Sequence, residues 1–405
     1  MATEHNSAEV LELASQAGHV LLENGAEISR VEETMERISS HYGESKENFF
    51  VLSNGIFTTG SSYSNVEFIP IKGARLDKVA EVNQLSRDIA HSDMSVDDAR
   101  ERLEMIRTMP PKPMWEQLVG TAIGCAGFCI IFGGGLMDCA ASVIAGVAMY
   151  LFVLTIGNAY LSKILSNICG GLVGTALCML FNHIGFGDNL GNMIIGTLIP
   201  LIPGVPFTNG LRDLANEDYL AGTTRLLDAV MVFFCIALGV CLTFLIHSWI
   251  AGGMISLHGT VTDSFTAAFP IQLIAAFAGT AAFAVLFSVP RRCYLTAGLV
   301  GMCGWLVYLA ITRFTPLSVA VGTFFATICV AFLSNLSARR MKAPSTIFLI
   351  CGIFPLIPGA GVFWSSYYLV SEQMKPALSA GFTAIKVTIA IVLGIIIVTN
   401  VLHKK

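Results

Sequence analysis

Ile199-Pro200-Leu201-Ile202-Pro203-Gly204 is repeated 155 residues later as Phe354-Pro355-Leu356-Ile357-Pro358-Gly359, and five of the six positions are identical. In each copy a Pro-Gly pair interrupts an apolar stretch. A second short helical stretch and one long apolar span then follow. Chance recurrence of Pro-Gly among apolar residues is a poor explanation for a match of this length at equivalent places. The motif therefore predicts that the chain consists of two related halves.

The composition places both halves in a membrane. Of the 405 residues 54% are hydrophobic and 13% are charged, whereas an ordinary globular domain has about 25% charged residues. A bilayer requires roughly 20 apolar residues per spanning helix. On that criterion the sequence predicts ten spans, over residues 115–135, 138–158, 163–183, 191–216, 222–247, 266–289, 293–312, 316–336, 344–370 and 377–402.

Lysine and arginine are distributed unequally between the two sides of this predicted bundle. With the N terminus inside, fourteen of them fall at inside positions, Lys404 and Lys405 included, and only Arg313 and Lys375 fall in outside loops. The bias supports ten crossings with both termini in the cytosol. Because five spans per half is an odd number, the second half must enter the membrane from the opposite side. The prediction is a pair of inverted repeats, as in many secondary transporters.

The first 114 residues are soluble in character. They hold 11 Lys/Arg and 19 Asp/Glu, and a charge of −8 excludes a nucleic-acid binder, which needs a basic patch. They lack a signal peptide, so this part is predicted to stay in the cytosol. The fold class is therefore a polytopic α-helical membrane protein with a cytosolic α+β domain over 1–114, a first five-helix repeat over 115–249 and a second, inverted repeat over 264–405.

Local patterns predict the elements of the soluble part. Apolar spacing indicates a helix over 8–22 that stops at Asn24-Gly25, and Ser29 with Glu32 resembles a capping box that starts the next helix. Asn54-Gly55 predicts a type I′ hairpin within 48–59, and 64–71 alternates as a third strand. Two amphipathic helices follow, the second behind Ser95 as an N-cap.

Nothing in the sequence points to an enzyme. The soluble part has no grouping of nucleophile, base and orienting residue and no metal-ligand spacing, so we expect no catalytic residue, metal or cofactor. Gly185-Phe186-Gly187-Asp188 fits the pattern of intramembrane aspartyl proteases, but the second embedded aspartate that this chemistry needs is missing. All eleven cysteines lie between Cys125 and Cys351 and are interpreted as small apolar residues.

The two Pro-Gly breaks are the predicted substrate site. Pro206 suits the first position of a new half-helix, whose free N–H groups would attract a carboxylate near the middle of the bilayer. After the second break, hydroxyl groups would face the first half and enclose a small zwitterion. The substrate-binding residues predicted on this basis are Gly204, Pro206, Thr208, Asn209, Gly359, Ser365 and Ser366.

Four charges follow the first break, and charges inside a membrane are costly unless they are paired or face a polar cavity. Asp213 and Arg225 are predicted to bind substrate, and Arg212 and Asp228 to line the pathway. The alternative is that Arg225 and Asp228, at i and i+3, simply pair on one helix face.

Two further charged residues, Lys386 and Asp138, are candidates for the transport pathway. Lys386 lies about ten residues inside the last span, where it either serves the pathway or extends its amine outward. Asp138 lies at the outer end of the first span, where an aspartate is usually just solvated.

The residues resemble the threonine/serine exporter family over nearly the whole chain, including its split two-subunit bacterial form. The resemblance is carried by Asn24-Gly-Ala-Glu27, Ser53-Asn-Gly-Ile-Phe-Thr-Thr59 and, most specifically, Pro203-Gly-Val-Pro-Phe-Thr-Asn209 followed by Asp213, Gly222 and Arg225. It implies that Asn209, Asp213 and Arg225 take part in transport, and it makes Asp138 a pathway residue. Arg212 and Asp228 are not part of the pattern.

The resemblance implies export of small amino acids, threonine and serine, from the cytosol, driven by a proton or sodium gradient. A dicarboxylate such as succinate is the alternative substrate, and a non-transporting membrane sensor is the rival class. The implied partners are the substrate, the coupling ion and the lipid bilayer, with self-association left open. The implied location is the bacterial cytoplasmic membrane.

Overall fold

The computed structural model describes residues 7–44, 49–60, 63–70, 73–253, 255, 257 and 266–403, with side chains to residue 401. Within these residues the chain consists of an N-terminal α+β unit, here called the head, and a bundle of long apolar helices. Asn48 and Ile71 at the predicted strand ends, residues 264 and 265 at the start of the predicted second repeat, and Lys404 and Lys405 lie outside the described residues.

The head packs helices against a small sheet. Three antiparallel strands run in the order β1-β2-β3, and the apolar faces of the helices form one buried core with the inner side of the sheet. The elements are α1 (Ser7–Glu23), α2 (Ile28–His41), β1 (Phe49–Leu52), β2 (Gly55–Thr59), β3 (Ser64–Phe68), α3 (Leu76–His91) and α4 (Val96–Arg107).

Local signals in the head are partly confirmed. Ser95 caps α4 by accepting a hydrogen bond from the backbone N–H of Asp98, and Gly25 ends α1 with φ of 84°. The hairpin exists, but Leu52 pairs with Gly55, so its turn is Ser53-Asn54. Neither turn residue has a positive φ. The predicted type I′ turn at Asn54-Gly55 was therefore wrong, because Gly55 is needed in the strand opposite Leu52.

Helix α2 also starts at a different residue from the predicted one. It begins at Ile28 with Glu27 as the N-cap, and the Glu27 side chain makes no capping hydrogen bond. The predicted capping box of Ser29 and Glu32 is therefore wrong. The physical reason is that Asp213, a residue of the bundle, accepts the hydrogen bond from the Ile28 N–H. A cap supplied by another part of the chain leaves no local pattern.

All ten predicted spans are confirmed as helices. Among the described residues nine helical segments are long and apolar enough to cross a membrane, and one bent pair makes the tenth. The bundle helices are α5 (Met114–Ile131), α6 (Leu136–Phe152), α7 (Asn158–Tyr160), α8 (Lys163–His183), α9 (Leu190–Leu198), α10 (Gly204–Ala215), α11 (Tyr219–Ala251), α12 (Phe269–Leu286), α13 (Tyr294–Phe314), α14 (Val319–Met341), α15 (Ser345–Ile353), α16 (Gly359–Val370) and α17 (Met374–His403).

The two halves of the bundle pack in the same way. In the first repeat, which comprises α5–α11, α5 packs on α6, and both α8 and α10 pack on α11. The second repeat, which comprises α12–α17, has the equivalent contacts: α12 packs on α13, and both α14 and α16 pack on α17. Between the repeats α5 packs on α12, and the contact of α11 with α16 is matched by that of α17 with α10. A twofold relation between two five-span units generates this reciprocal set of contacts.

The two copies of the motif touch each other. A Cβ atom added to Gly204 would lie 2.6 Å from the Phe354 ring, and one added to Gly359 would lie 2.6 Å from Cδ1 of Ile202. The copies differ in shape, because the first bends the chain by 70°, whereas Ser345–Val370 is straight enough to count as a single span. The bend directs α10 toward the end of the bundle that carries the head, which we call the head side.

Candidate functional site

The bent helix α10 and the start of α11 bring together a buried polar cluster. Its members are Thr208, Asn209, Asp213 and Arg225, each no more than 3% exposed. The chain turns back between the two helices at Glu217, which has φ of 67°. Arg225, nearly two turns into α11, is thereby placed beside Asp213 near the end of α10. Four of the residues predicted to bind substrate after the first break therefore lie together.

Asp213 and Arg225 form an ion pair. Arg225 Nη1 lies 2.8 Å from Asp213 Oδ2, and their side chains are 4% and 1% exposed, respectively. A pair removed from water in this way is sensitive to the loss of either partner, since the remaining charge would stay buried without compensation. The predicted alternative, a pair of Arg225 with Asp228, was wrong: Asp228 binds Lys163 at 2.7 Å on an exposed surface.

A loop of the head covers this cluster. We call it the junction loop (Asn24–Ile28). Asn209 Nδ2 donates to the carbonyl of Gly25 at 2.7 Å, and Arg225 Nη2 donates to the carbonyl of Ala26 at 2.8 Å. The backbone N–H of Ile28 donates to Asp213 Oδ1 at 3.3 Å. Three of the four cluster residues are thus hydrogen-bonded to the backbone of the head.

Glu27 of the junction loop extends the contact to the second repeat. Its carboxylate lies 2.7 Å from Arg212 Nε and is 1% exposed. Arg212 also donates to the hydroxyls of Thr346 and Ser345, at 2.9 and 3.1 Å. Because Ser345 and Thr346 begin α15, Arg212 joins the head, the first repeat and the second repeat at one point.

Two polar atoms of the cluster lack partners. Thr208 Oγ1 and Asn209 Oδ1 are buried without a hydrogen bond to any described residue. Buried polar atoms are hydrogen-bonded in the great majority of cases, so each exception needs an explanation. Unused hydrogen-bonding capacity beside a buried ion pair is what a site for a small polar ligand provides.

The start of α10 has surroundings that differ from the predicted ones. Gly204 packs on the ring of Phe354, which stacks on Phe283 with ring centroids 4.1 Å apart. The cavity between the two breaks is only about 40 Å³ and is lined mainly by apolar side chains. Helix α10 begins at Gly204, so Pro206 is its third residue, and the predicted first position was wrong. In this conformation the N terminus of the half-helix faces aromatic rings.

The hydroxyls of α16 are not brought to the polar cluster. Ser365 donates to the carbonyl of Ala377, and Ser366 donates to the carbonyl of Val362 in its own helix. Ser366 lines the small apolar cavity, as does Gly359. The two predicted halves of the substrate site are therefore separated by the contact between the breaks.

The two remaining charged candidates lie elsewhere. Asp138 accepts hydrogen bonds from the backbone N–H groups of Gly135, Asp188 and Asn189, so it holds together a loop at the end of the bundle opposite the head. Lys386 is exposed on the outer face of α17. Neither side chain reaches the cluster around Asp213.

Sequence reasoning missed Glu27, Ser345 and Thr346. Glu27 stands in a recognisable stretch, Asn24-Gly-Ala-Glu27, but its partner Arg212 lies 185 positions further along the chain. The one available signal was the number of arginines near the first break, since a cation buried in a bundle requires an anion from somewhere.

Known protein families and relatives match nearly the whole sequence. Two models of threonine/serine exporters match, one over residues 12–247 and a second, "Threonine/Serine exporter, ThrE", over residues 272–401. The "Threonine/serine exporter" of Corynebacterium glutamicum is 24% identical over 409 residues, covering 96% of this chain and 81% of the relative. The "Probable threonine/serine exporter" of Mycobacterium tuberculosis is 24% identical over 407 residues, covering 96% and 76%.

A shorter relative matches little more than half of the chain. The "Probable succinate transporter subunit YjjP" of Klebsiella aerogenes is 23% identical over 236 residues, covering 57% of this chain and 91% of the relative. No solved structure matches the chain significantly.

Proposed function

Because the chain belongs to the threonine/serine exporter family, we propose that it is a secondary active exporter of serine and threonine. The head side faces the cytosol of a bacterial cell, and both termini lie there. The bundle provides alternating access between the two sides of the membrane, as inverted repeats do in many transporters. A proton or sodium gradient supplies the driving force.

The observation that carries this proposal is the match between the junction loop and an amino acid. The loop offers two carbonyl oxygens, to Asn209 and Arg225, and one N–H, to Asp213. An α-carboxylate offers the same kind of acceptors, and an α-ammonium group offers the same kind of donor. An amino acid that replaced the loop would therefore satisfy the same three side chains.

A side-chain hydroxyl would complete the match. Thr208 Oγ1 and Asn209 Oδ1 have unused hydrogen-bonding capacity in this conformation. A site with such groups favours a ligand that bears a hydroxyl, and it rejects an analogue without one because the polar groups then stay unpaired. Serine and threonine should accordingly bind better than alanine.

The junction loop is the gate in this proposal. With the loop bound, the partners of the substrate are occupied and shielded from the head side. Substrate binding requires the head to withdraw the loop, and Arg212, freed from Glu27, would then be available to a carboxylate. Gly359, Ser365, Ser366 and Asp138 belong to the route beyond the contact between the breaks, which must open to let the substrate pass.

A dicarboxylate such as succinate is the second candidate substrate. It is supported by the second arginine, Arg212, close to the cluster, and by the name of the Klebsiella aerogenes relative. A dicarboxylate would use Arg212 and Arg225 together and would require Asp213 to be neutralised. Asp213 places a carboxylate beside Arg225 in the cluster. This carboxylate favours a zwitterion, whose ammonium group it can bind, over a dicarboxylate.

Counterflow in proteoliposomes tests the proposal. Vesicles are loaded with unlabelled serine, and uptake of labelled serine is measured in the presence of competing threonine, alanine or succinate. We expect threonine to compete about as well as serine, and alanine and succinate to compete at least about tenfold less, since unpaired buried polar groups weaken binding strongly. Stronger competition by succinate than by threonine would favour the dicarboxylate as substrate, and absence of serine counterflow would contradict the export of serine.

A further inference from the structure

A polar cavity lies between the head and the second repeat. It has a volume of about 480 Å³, within the range of small-molecule sites. The head lines it with Arg30, Arg37 and Arg87, and α14 lines it with Arg339. We call it the arginine vestibule. It is distinct from the cluster around Asp213, whose residues do not line it.

The charges of the vestibule are not balanced. Four arginines line it together with a single carboxylate, that of Glu33, which binds both Arg30 and Arg37. Arg87 donates to two backbone carbonyls, those of Asn83 and Lys342, and forms no ion pair within the part of the chain that the structure describes. The lining carries an excess of three positive charges, and a further carboxylate beside Arg30, that of Glu27 at 3.5 Å, does not line the cavity.

The arginines also have unused donors. Arg30 Nε is buried without a hydrogen-bond partner among the described residues. The Arg339 side chain forms no ion pair within the described ranges of the chain, although it lines the cavity. Burial first, and then the positive charges of Arg37 and Arg30, lower the pKa of Arg87, as expected where cations crowd together. A multivalent anion would relieve this repulsion.

We propose that the arginine vestibule binds a phosphate group. The four guanidinium groups come from α2, α3 and α14, and so approach from several directions. A tetrahedral phosphate presents acceptor oxygens in several directions, whereas a carboxylate presents two in one plane. The phosphate group belongs either to a small soluble compound or to the headgroup of an anionic lipid, since the vestibule lies at the end of the membrane bundle.

Occupation of the vestibule has a structural consequence. The bound phosphate would connect α2 and α3 of the head with α14 of the second repeat. The junction loop immediately precedes α2 and covers Asn209, Asp213 and Arg225. The ligand would therefore stabilise the arrangement in which the head is docked.

The experiment uses the full-length protein in phosphatidylcholine nanodiscs. Binding of pyrophosphate is measured by calorimetry at an ionic strength held constant with sodium chloride. We expect one site per chain and at least about tenfold weaker binding in Arg339→Gln and in Arg87→Gln, because each removes a direct charged donor. The matched control is Arg340→Gln, the next residue of α14, which is exposed and does not line the vestibule.

A second arm identifies the source of the phosphate. Nanodiscs that contain phosphatidylglycerol are analysed by native mass spectrometry, and retention of this lipid is compared in the same variants. Lipid retention that depends on Arg339 and Arg87, with little binding of pyrophosphate, would support the site with a headgroup as its ligand. Equal binding of both probes by Arg339→Gln, Arg87→Gln and Arg340→Gln would overturn the proposal, as would binding of neither probe to the wild-type protein.

Discussion

Asp213 and Arg225 are buried as a pair. Single and double variants separate what the pair contributes to stability from what it contributes to transport. Asp213→Asn leaves the Arg225 charge buried beside the carbonyl of Ala26, with no carboxylate bound to it among the described residues. We expect this variant to lose about 3–5 kcal/mol of stability. In Asp213→Asn/Arg225→Gln both groups are neutral, so most of the stability should return, whereas serine counterflow should be abolished because both charged partners of the substrate are missing. Thermal unfolding and counterflow of the purified variants measure the two effects.

The exposed pair of Lys163 and Asp228 provides the control. Its side chains are 62% and 45% exposed, and pairs of this kind contribute about 0–1 kcal/mol. Lys163→Gln/Asp228→Asn should therefore unfold and transport nearly like the wild type. Wild-type counterflow by the neutral double variant of the buried pair would show that Asp213 and Arg225 serve structure alone.

Glu27 is the residue that decides whether the junction loop stays closed. Glu27→Gln removes the negative charge that faces Arg212 at 2.7 Å, and breaking a buried pair costs about 3–5 kcal/mol. We expect amide hydrogen exchange in residues 24–31 to accelerate by more than about tenfold, which corresponds to about 1.4 kcal/mol of local stability. Mass spectrometry of the exchanged peptides measures this change.

Glu36→Gln is the matched control for that experiment. Glu36 lies on α2, two turns beyond its start, and is not a partner of Arg212. Exchange in residues 24–31 should stay within about twofold of the wild type in this variant. Unchanged exchange in Glu27→Gln would contradict the role of the ion pair in holding the loop.

At the scale of elements, the contact between the two breaks leaves no room for a larger residue at Gly204. Gly204→Ala would bring a methyl group within 2.6 Å of the Phe354 ring, which is held by Phe283, Phe128 and Phe287. The same change at Gly359 meets only the flexible tip of Ile202. Overpacking of a rigid neighbour costs about 1–3 kcal/mol. We expect Gly204→Ala to be destabilised by this amount and Gly359→Ala by less.

Thermal unfolding of both alanine variants in one detergent tests this difference. The two positions are equivalent in the repeat, so each serves as the control for the other. If Gly359→Ala were the less stable variant, the rigid contact of Gly204 with Phe354 would not be the constraint that we describe.

At the scale of the whole molecule, the prediction concerns orientation. Ile184 lies on the side of the bundle opposite the head and is 65% exposed, and Arg340 is exposed on the head side. A cysteine introduced at Ile184 should react with an impermeant thiol reagent in intact cells, and one at Arg340 should react only after lysis. The wild-type chain with its own eleven cysteines gives the background. The reverse pattern would place the head outside the cell.

Much of this architecture could be predicted from the sequence. Ten spans, their boundaries to within a few residues, and the division into two halves follow from hydropathy and from the motif at 199–204 and 354–359, because the bilayer imposes a simple rule of length and polarity on each helix. The α+β character of the head follows from local periodicity. The grouping of Asn209, Asp213 and Arg225 was also accessible, since all three follow one break.

The partners of those residues were decided only by the tertiary structure. Arg225 pairs with Asp213 and not with Asp228, although Asp228 is closer in sequence. Glu27 meets Arg212, and the N–H of Ile28 meets Asp213, across about 185 positions of chain. Helical periodicity and hydropathy describe how one segment meets solvent or lipid. They contain no information on which distant segment supplies a counter-charge, because that depends on how the head docks on the folded bundle.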